Sequence, residues 1–528
     1  QEVVDPDAVA TVIGDLDGSF ISHTGNIGNI ESTTGIGADF IAGGRIGDIT
    51  ALTGGIQSTL INAKQDIGQI TVQSQEPSST KLVSQKGSIK GLTVYSGTWA
   101  GVIRAGQDIG NIDVEKGALD HLSLAAERNI GNITVKGSST IMGGTYSAGQ
   151  NIGTITAKAA RGVAIQGALF QAGDEDGRYR DASGNIQISR ISGFNVEAHG
   201  ATLLPTVEPG IDVVAPAEAA HGLQDVQILA GSIGDIRSRS WTGQGINNSV
   251  IHATAGDIAD ITGIGNSHGL FKLTVVAQNN LGKVRGISKV QGEGIRESRF
   301  NANEGTIGLV SGQGGVAGGH GINQSTFQAA GKIMGLKGTS NANQGDAMRL
   351  VDARAAVFGT IEANVLGGKG GEPTNPLGGG IVESEFKGYA DTSSSTISYA
   401  DDPTKQDYPN PYHNLPGIES IEIDVRSIYG KGIDTSIFDV KGGVDLITSR
   451  AFGGSAIFDS EFTAEYGDFK EIAAESFVGG NAIDASFFNA SNGSIGSGTL
   501  GLTAKAGGLA PADVAIQGST FEADENIG

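Results

Sequence analysis

Ala105-Gly-Gln-Asp-Ile109-Gly-Asn-Ile112, Ala126-Glu-Arg-Asn-Ile130-Gly-Asn-Ile133 and Ala148-Gly-Gln-Asn-Ile152-Gly-Thr-Ile155 write one phrase three times. Their alanines are 21 and 22 residues apart. A fixed period in the twenties is the mark of a repeat architecture, and it outranks any local reading. Within one copy, Ile112 and Val114 alternate with polar residues and so share one face of a short strand. Ile109 lies three positions before Ile112 and breaks that alternation. The Gly-Asn pair between them therefore reads as a corner, Gly for backbone angles closed to other residues and Asn as the residue that tolerates them next best. A chain that bends this way and repeats after about 21 residues is one coil of a parallel β-helix, with coils stacked about 4.8 Å apart.

Hairpins in a β-sandwich would need tight turns between strands of opposite direction, and one fixed period would then be an accident. Left-handed β-helices keep a stricter rhythm of about 18 residues built from hexapeptides. The looser spacing here predicts an all-β, right-handed parallel β-helix with coils of roughly 20–27 residues and loop insertions.

Composition agrees with a solenoid. Glycine supplies 85 of 528 residues without a strict triplet, which excludes collagen. Hydrophobic residues make up 38%, enough for a thin continuous core and too much for disorder. The net charge of −22 argues against nucleic acid or an anionic membrane surface as a partner. There is no cysteine, so disulfides and thiolate metal sites are excluded. No apolar run reaches the length of about eighteen residues needed for a spanning helix. The chain starts at Gln1 without a signal peptide and stops at Asn526-Ile-Gly528, within its own repeat. The expectation is a processed or partial chain whose β-helix continues, with strand edges covered by further chain, another domain or a neighbouring subunit.

Residues 1–200 read as narrower coils. The corner recurs at Ile27-Gly-Asn-Ile30, Ile46-Gly-Asp-Ile49, Ile67-Gly-Gln-Ile70 and Ile89-Lys-Gly-Leu92. Residues 174–185 break the rhythm, with Asp174, Asp176 and Asp181 around a turn glycine. They resemble a calcium loop and are the one candidate metal site, but the EF-hand register and its bidentate Glu are missing, which favours a solvated turn. Residues 201–222, with Pro205, Pro209 and Pro216, read as an insertion or linker.

Residues 223–528 read as wider coils with a second phrase: Ile, two residues, Ser, one residue, an aromatic or Ile, one residue, usually Ala. Ile295…Ser298…Phe300…Ala302 and Ile322…Ser325…Phe327…Ala329 are two copies, and Ile433…Ser436…Phe438 is a later one. The phenylalanines should stack as a ladder in the core, with the serines at a bend where they bond neighbouring coils. Insertions are expected at 367–380 and at 389–417. The second carries Tyr389, Tyr399, Tyr408 and Tyr412 among prolines and aspartates, a composition suited to protein contacts, and is the candidate assembly loop.

No catalytic constellation is apparent. Acidic residues scatter over every coil, the histidines lack metal-ligand spacing, and Trp99 and Trp241 are the only tryptophans available as sugar platforms. With its coil motif, the chain resembles the large repetitive β-helical surface proteins of bacteria: S-layer-type proteins, autotransporter passengers and filamentous adhesins. The resemblance is one of architecture and composition across nearly the whole chain. It implies an extracellular structural protein, not an enzyme, that self-assembles through loops and β-helix ends into a surface layer, sheath or filament. No cofactor is implied beyond the calcium candidate, and the partners would be further copies and cell-surface glycans. The alternative is an adhesin, a receptor-binding spike or a polysaccharide-active β-helix enzyme.

Overall fold

The computed structural model describes residues 9–12, 15–199, 220–341, 345–366, 378–390, 396–397, 408–409, 411–413, 415–426, 430–507 and 514–528, with backbone alone at 9–12, 58–59, 396–397 and 408–409. Every regular element among them is a strand. The three copies of the opening phrase are stacked as the sequence requires. Ile109 pairs with Ile130 and Ile130 with Ile152, while Ile112 pairs with Ile133 and Ile133 with Ile155, all in parallel. The chain is a parallel β-helix. No helix long and apolar enough to cross a membrane occurs among the described residues.

One coil has three strand faces. Ile141–Met142 is a two-residue strand, Thr145–Ala148 a four-residue strand, and Asn151–Ala159 a long strand that contains the Ile-Gly-x-Ile corner. Inward positions alternate along each of them, so Ile141, Tyr146, Ala148, Ile152, Ile155 and Ala157 are all buried. The next coil repeats the first two faces at Ile165–Gln166 and Leu169–Ala172, pairing Ile141 with Ile165 and Tyr146 with Phe170.

The chain divides into two compact units, Gln1–Ala259 and Asp260–Gly528. In the first, Ile49 pairs with Ile70 and Ile112 with Ile133, coils of 21 residues. Residues 174–189 leave the coil as an antiparallel hairpin, Arg178–Arg180 against Ile186–Ile188. Residues 200–219, most of the proline-rich segment, lie outside the described residues; Ala198 on one side of them pairs directly with Ser240 on the other. In the second unit, Val284 pairs with Val310 and Ile421 with Ile447, 26 residues apart. Ile361 pairs with Ile421, so a single coil holds both expected insertions.

The backbone of the corner differs from the sequence reading. Gly110, Gly131 and Gly153 do not have positive φ. They are glycine because coils approach closely there: a Cβ on Gly131 would lie 2.6 Å from Asn111 Oδ1 and 2.8 Å from the Gly110 carbonyl carbon. The Asn beside Gly110 and Gly131 is likewise not a left-handed residue. Its Oδ1 accepts a backbone N–H of the next coil where the strand ladder bends, Asn132 N to Asn111 at 3.0 Å and Thr154 N to Asn132 at 2.9 Å. The Asp or Asn before the first isoleucine acts the same way, with Asn129 N donating to Asp108 Oδ1 at 3.1 Å and Arg190 N to Asn151 at 2.9 Å.

Left-handed residues occur instead between the two-residue and four-residue strands. Asn248, Glu297, Gln324, Leu350, Glu383, Thr435, Asp459 and Ala485 all have φ between 44° and 50°. The buried serine of the second phrase follows this bend. Ser436 Oγ donates to the Asp434 carbonyl at 2.8 Å and accepts the Ser384 N–H at 3.2 Å, and Ser460 and Ser486 repeat both bonds. Inside them Phe386, Phe438, Phe462, Phe488 and Phe521 form a stack with ring centroids 4.6–5.0 Å apart.

Candidate functional site

Because coils stack in register, a side chain placed at one coil position meets the side chain at the same position in the next. Most columns hold aliphatic, aromatic, Ser or Asx residues. One column in the second unit holds buried ionisable groups. His268, Glu293, His320 and Asp346 each stand two residues before the first residue of a two-residue strand, and those strands pair Leu270 with Ile295, Ile295 with Ile322, and Ile322 with Met348.

The side chains of the column bond in two pairs. His268 Nδ1 accepts the Glu293 N–H at 3.0 Å and lies 2.9 Å from Glu293 Oε2. His320 Nδ1 accepts the Asp346 N–H at 2.9 Å and lies 3.4 Å from Asp346 Oδ2. One ring nitrogen cannot accept a proton bond and donate another at once. With Nδ1 unprotonated, each imidazole accepts the backbone N–H of the next coil. Arg296 Nη1 reaches Glu293 Oε2 at 3.5 Å, and Asn323 Nδ2 donates to Glu293 Oε1 at 3.4 Å. The Gly379 N–H donates to Asp346 Oδ1 at 2.6 Å.

The two carboxyls respond in opposite directions. Both side chains are about nine-tenths covered. Burial alone would raise Glu293, but the bond and charge of His268, with Arg296 and His320, outweigh it and hold the group at about 2. Burial also leads at Asp346; there the Gly379 N–H and the charges of His320 and Arg349 do not overcome it, nearby Asp434 adds to it, and the pKa is raised. On the outer edge Phe271 stacks on His268 at 5.0 Å, with Lys272 and Arg296 over its ring. The arrangement ties successive coils together through side-chain bonds to the backbone and between side chains. Sequence reading missed it because His, Glu, His and Asp are 25 to 27 residues apart, and only the coil register shows that they form one column.

The expected calcium carboxylates serve their own hairpin. Asp174 Oδ1 accepts the N–H groups of Asp176 at 3.0 Å and Arg178 at 2.8 Å. Asp181 Oδ1 accepts those of Ser183 and Asn185 at 2.9 Å each, and the Asn185 N–H is the main cause that lowers its pKa. Among the described residues no group of three or more His, Asp or Glu side chains is placed to hold a metal ion.

Of the tyrosines expected to serve assembly, Tyr389 donates its hydroxyl to the Ala329 carbonyl of its own β-helix. Tyr412 is half-buried, and a Cβ built on Gly331 would lie 3.3 Å from its hydroxyl. The Tyr389 bond ties the start of the insertion to a coil two positions back. Burial raises both phenols. Tyr408–Pro409 pairs with Thr396–Ile397 as a short antiparallel ladder, and Tyr399 lies outside the described residues. Comparison of the chain with protein-family models, curated proteins and solved structures finds no match.

Proposed function

We propose that this chain is an extracellular structural subunit that assembles with copies of itself into a surface layer, sheath or filament. One observation carries the reading: the same side chains recur in coil after coil, and they bond to the coils above and below. Serine, Asx and phenylalanine columns all do this, at Ser436, Asn132 and Phe462 among others. A sequence used this way specifies a scaffold whose coils are held together by repeated side-chain columns. The net charge of −22 favours solubility until specific contacts form.

The segment between Tyr389 and Tyr412 is the assembly element in this reading, because its tyrosine- and proline-rich composition suits protein contacts. Deleting residues 391–415 should leave the β-sheet circular dichroism and melting temperature close to wild type. Sedimentation velocity should then show loss of the higher oligomers formed by the full chain. Oligomers formed equally well by the deletion variant would defeat the assignment of this segment.

A further inference from the structure

Two surfaces, one in each compact unit, hold charges that no ion pair within the chain neutralises. The first is the 174–189 hairpin. Arg178 lies opposite Ile188 and Arg180 opposite Ile186, so these four side chains share one face, with Tyr179 and Gln187 on the other. Ile186 is 57% exposed and Ile188 49%. A Cβ built on Gly231 would lie 2.7 Å from Ile188 Cγ2, so the base of this face leans on the coil. Arg180 Nη1 donates to the Gly184 carbonyl at 2.9 Å, and among the described residues neither arginine has an ion-pair partner. The hairpin's carboxylates lie in its turns, Asp174, Glu175 and Asp176 before the first strand and Asp181 after it. Asp174 and Asp181 each give Oδ1 to two turn N–H groups. The hairpin is therefore not cationic as a whole, but its strand face presents two guanidinium groups beside two exposed isoleucines.

The second surface is a groove of about 270 Å³ on the long strands of the second unit, lined in part by Glu362, Glu422, Asp424 and Leu446. From Lys332–Ser340 to Leu502–Ala506 these strands, with Arg426 just past one of them, carry seven carboxylates and six cations. Five cations pair with five carboxylates at 2.6–3.7 Å: Lys332 with Glu419, Lys337 with Glu362, Arg426 with Asp424, Arg450 with Glu475 and Lys470 with Asp445. Lys505 stands in register with Glu475. Glu422 and Glu471 are left without a cation among the described residues. Glu422 Oε1 accepts the Ser420 hydroxyl at 3.2 Å. Leu446, paired with Ser420 on one side and Glu471 on the other, is partly exposed and gives the groove an apolar spot. One surface thus offers two unneutralised cations beside isoleucines, and the other two unneutralised anions beside a leucine. We propose that the hairpin face of one copy binds this groove in a neighbouring copy, with Arg178 and Arg180 against Glu422 and Glu471. Because the two surfaces differ, the contact is head-to-tail and propagates into a ring or an open filament. It rests on the self-assembly reading above and adds a contact separate from the 389–417 insertion.

The test is sedimentation velocity of the full chain and two double variants, Arg178→Glu with Arg180→Glu and Glu422→Arg with Glu471→Arg. Wild-type association should weaken as salt rises, because the contact is made by exposed charges. Each double variant alone should raise the dissociation constant roughly tenfold or more, with melting temperature unchanged since all four side chains lie outside the core. An equimolar mixture of the two variants should recover assembly. In the mixture the acidic hairpin meets the basic groove, and the unaltered hairpin meets the unaltered groove. Double variants that assemble like wild type, or a mixture of folded variants that does not recover, would overturn this contact while leaving self-assembly by other surfaces standing. A wild type that stays monomeric at every concentration would overturn both.

Discussion

Thr435 has φ of 48° with an exposed, β-branched side chain, and Gly131 has ordinary φ with no room for a side chain. The two positions invert the usual expectation for where glycine belongs, and they make opposite predictions. Thr435→Gly removes a left-handed Cβ clash and should stabilise the protein by about 1 kcal/mol. Gly131→Ala places a methyl against the backbone of the neighbouring coil and should destabilise by about 1–3 kcal/mol. Chemical denaturation of both variants decides this; a stabilised Gly131→Ala would refute the close-approach account. Glu293 makes a pH prediction at the same scale. Its folded pKa of about 2 lies below its ordinary value of 4.5, so its ionised form adds stability that is fully present above about pH 4.5. That stability is lost as pH falls toward 2, by an amount on the order of 2–3 kcal/mol. Glu293→Gln should therefore flatten the fall of melting temperature across this window. An unchanged slope would show that the His268 contact carries no linkage.

At the scale of the coil, the unit of stability is a column of like residues. Ile130 is buried between Ile109 and Ile152, and Ile130→Asp would set an unpaired charge in a core one side chain thick. The damage should spread only to adjacent coils, because each coil contacts its neighbours alone. Hydrogen exchange should show lost protection around residues 105–160 and native protection around 430–490. Uniform loss across the chain would contradict the nearest-neighbour picture. The register of Ile109, Ile130 and Ile152 was legible in the sequence because aliphatic spacing survives any detail of the turns. The Phe386-to-Phe521 stack and the bonding of the serines were legible for the same reason. The cause of the corner was not: Gly131 and Asn132 satisfy both a special-φ reading and a close-approach reading, and only the position of the next coil separates them. The His268–Glu293–His320–Asp346 column was hidden because each member sits alone in its own stretch of sequence. The hairpin of Asp174 and Asp181 was legible as a turn, with its carboxylates bonded to backbone N–H groups.

For the whole molecule, the two compact units share one coil plan and differ in what leaves it. The first carries the 174–189 hairpin, and the second holds both later insertions in the coil between Ile361 and Ile421. A scaffold of identical columns tolerates such insertions because the ladder closes again behind them, as Ala198 with Ser240 and Val365 with Val425 show. This is the property a structural subunit needs, since contacts with other copies can vary while the scaffold stays constant. If the chain assembles regularly with itself, as proposed, electron microscopy of the purified full chain over a rising concentration series should show ordered sheets or filaments with one repeating subunit spacing. Dispersed single particles at every concentration, from a preparation that is folded by circular dichroism, would contradict it.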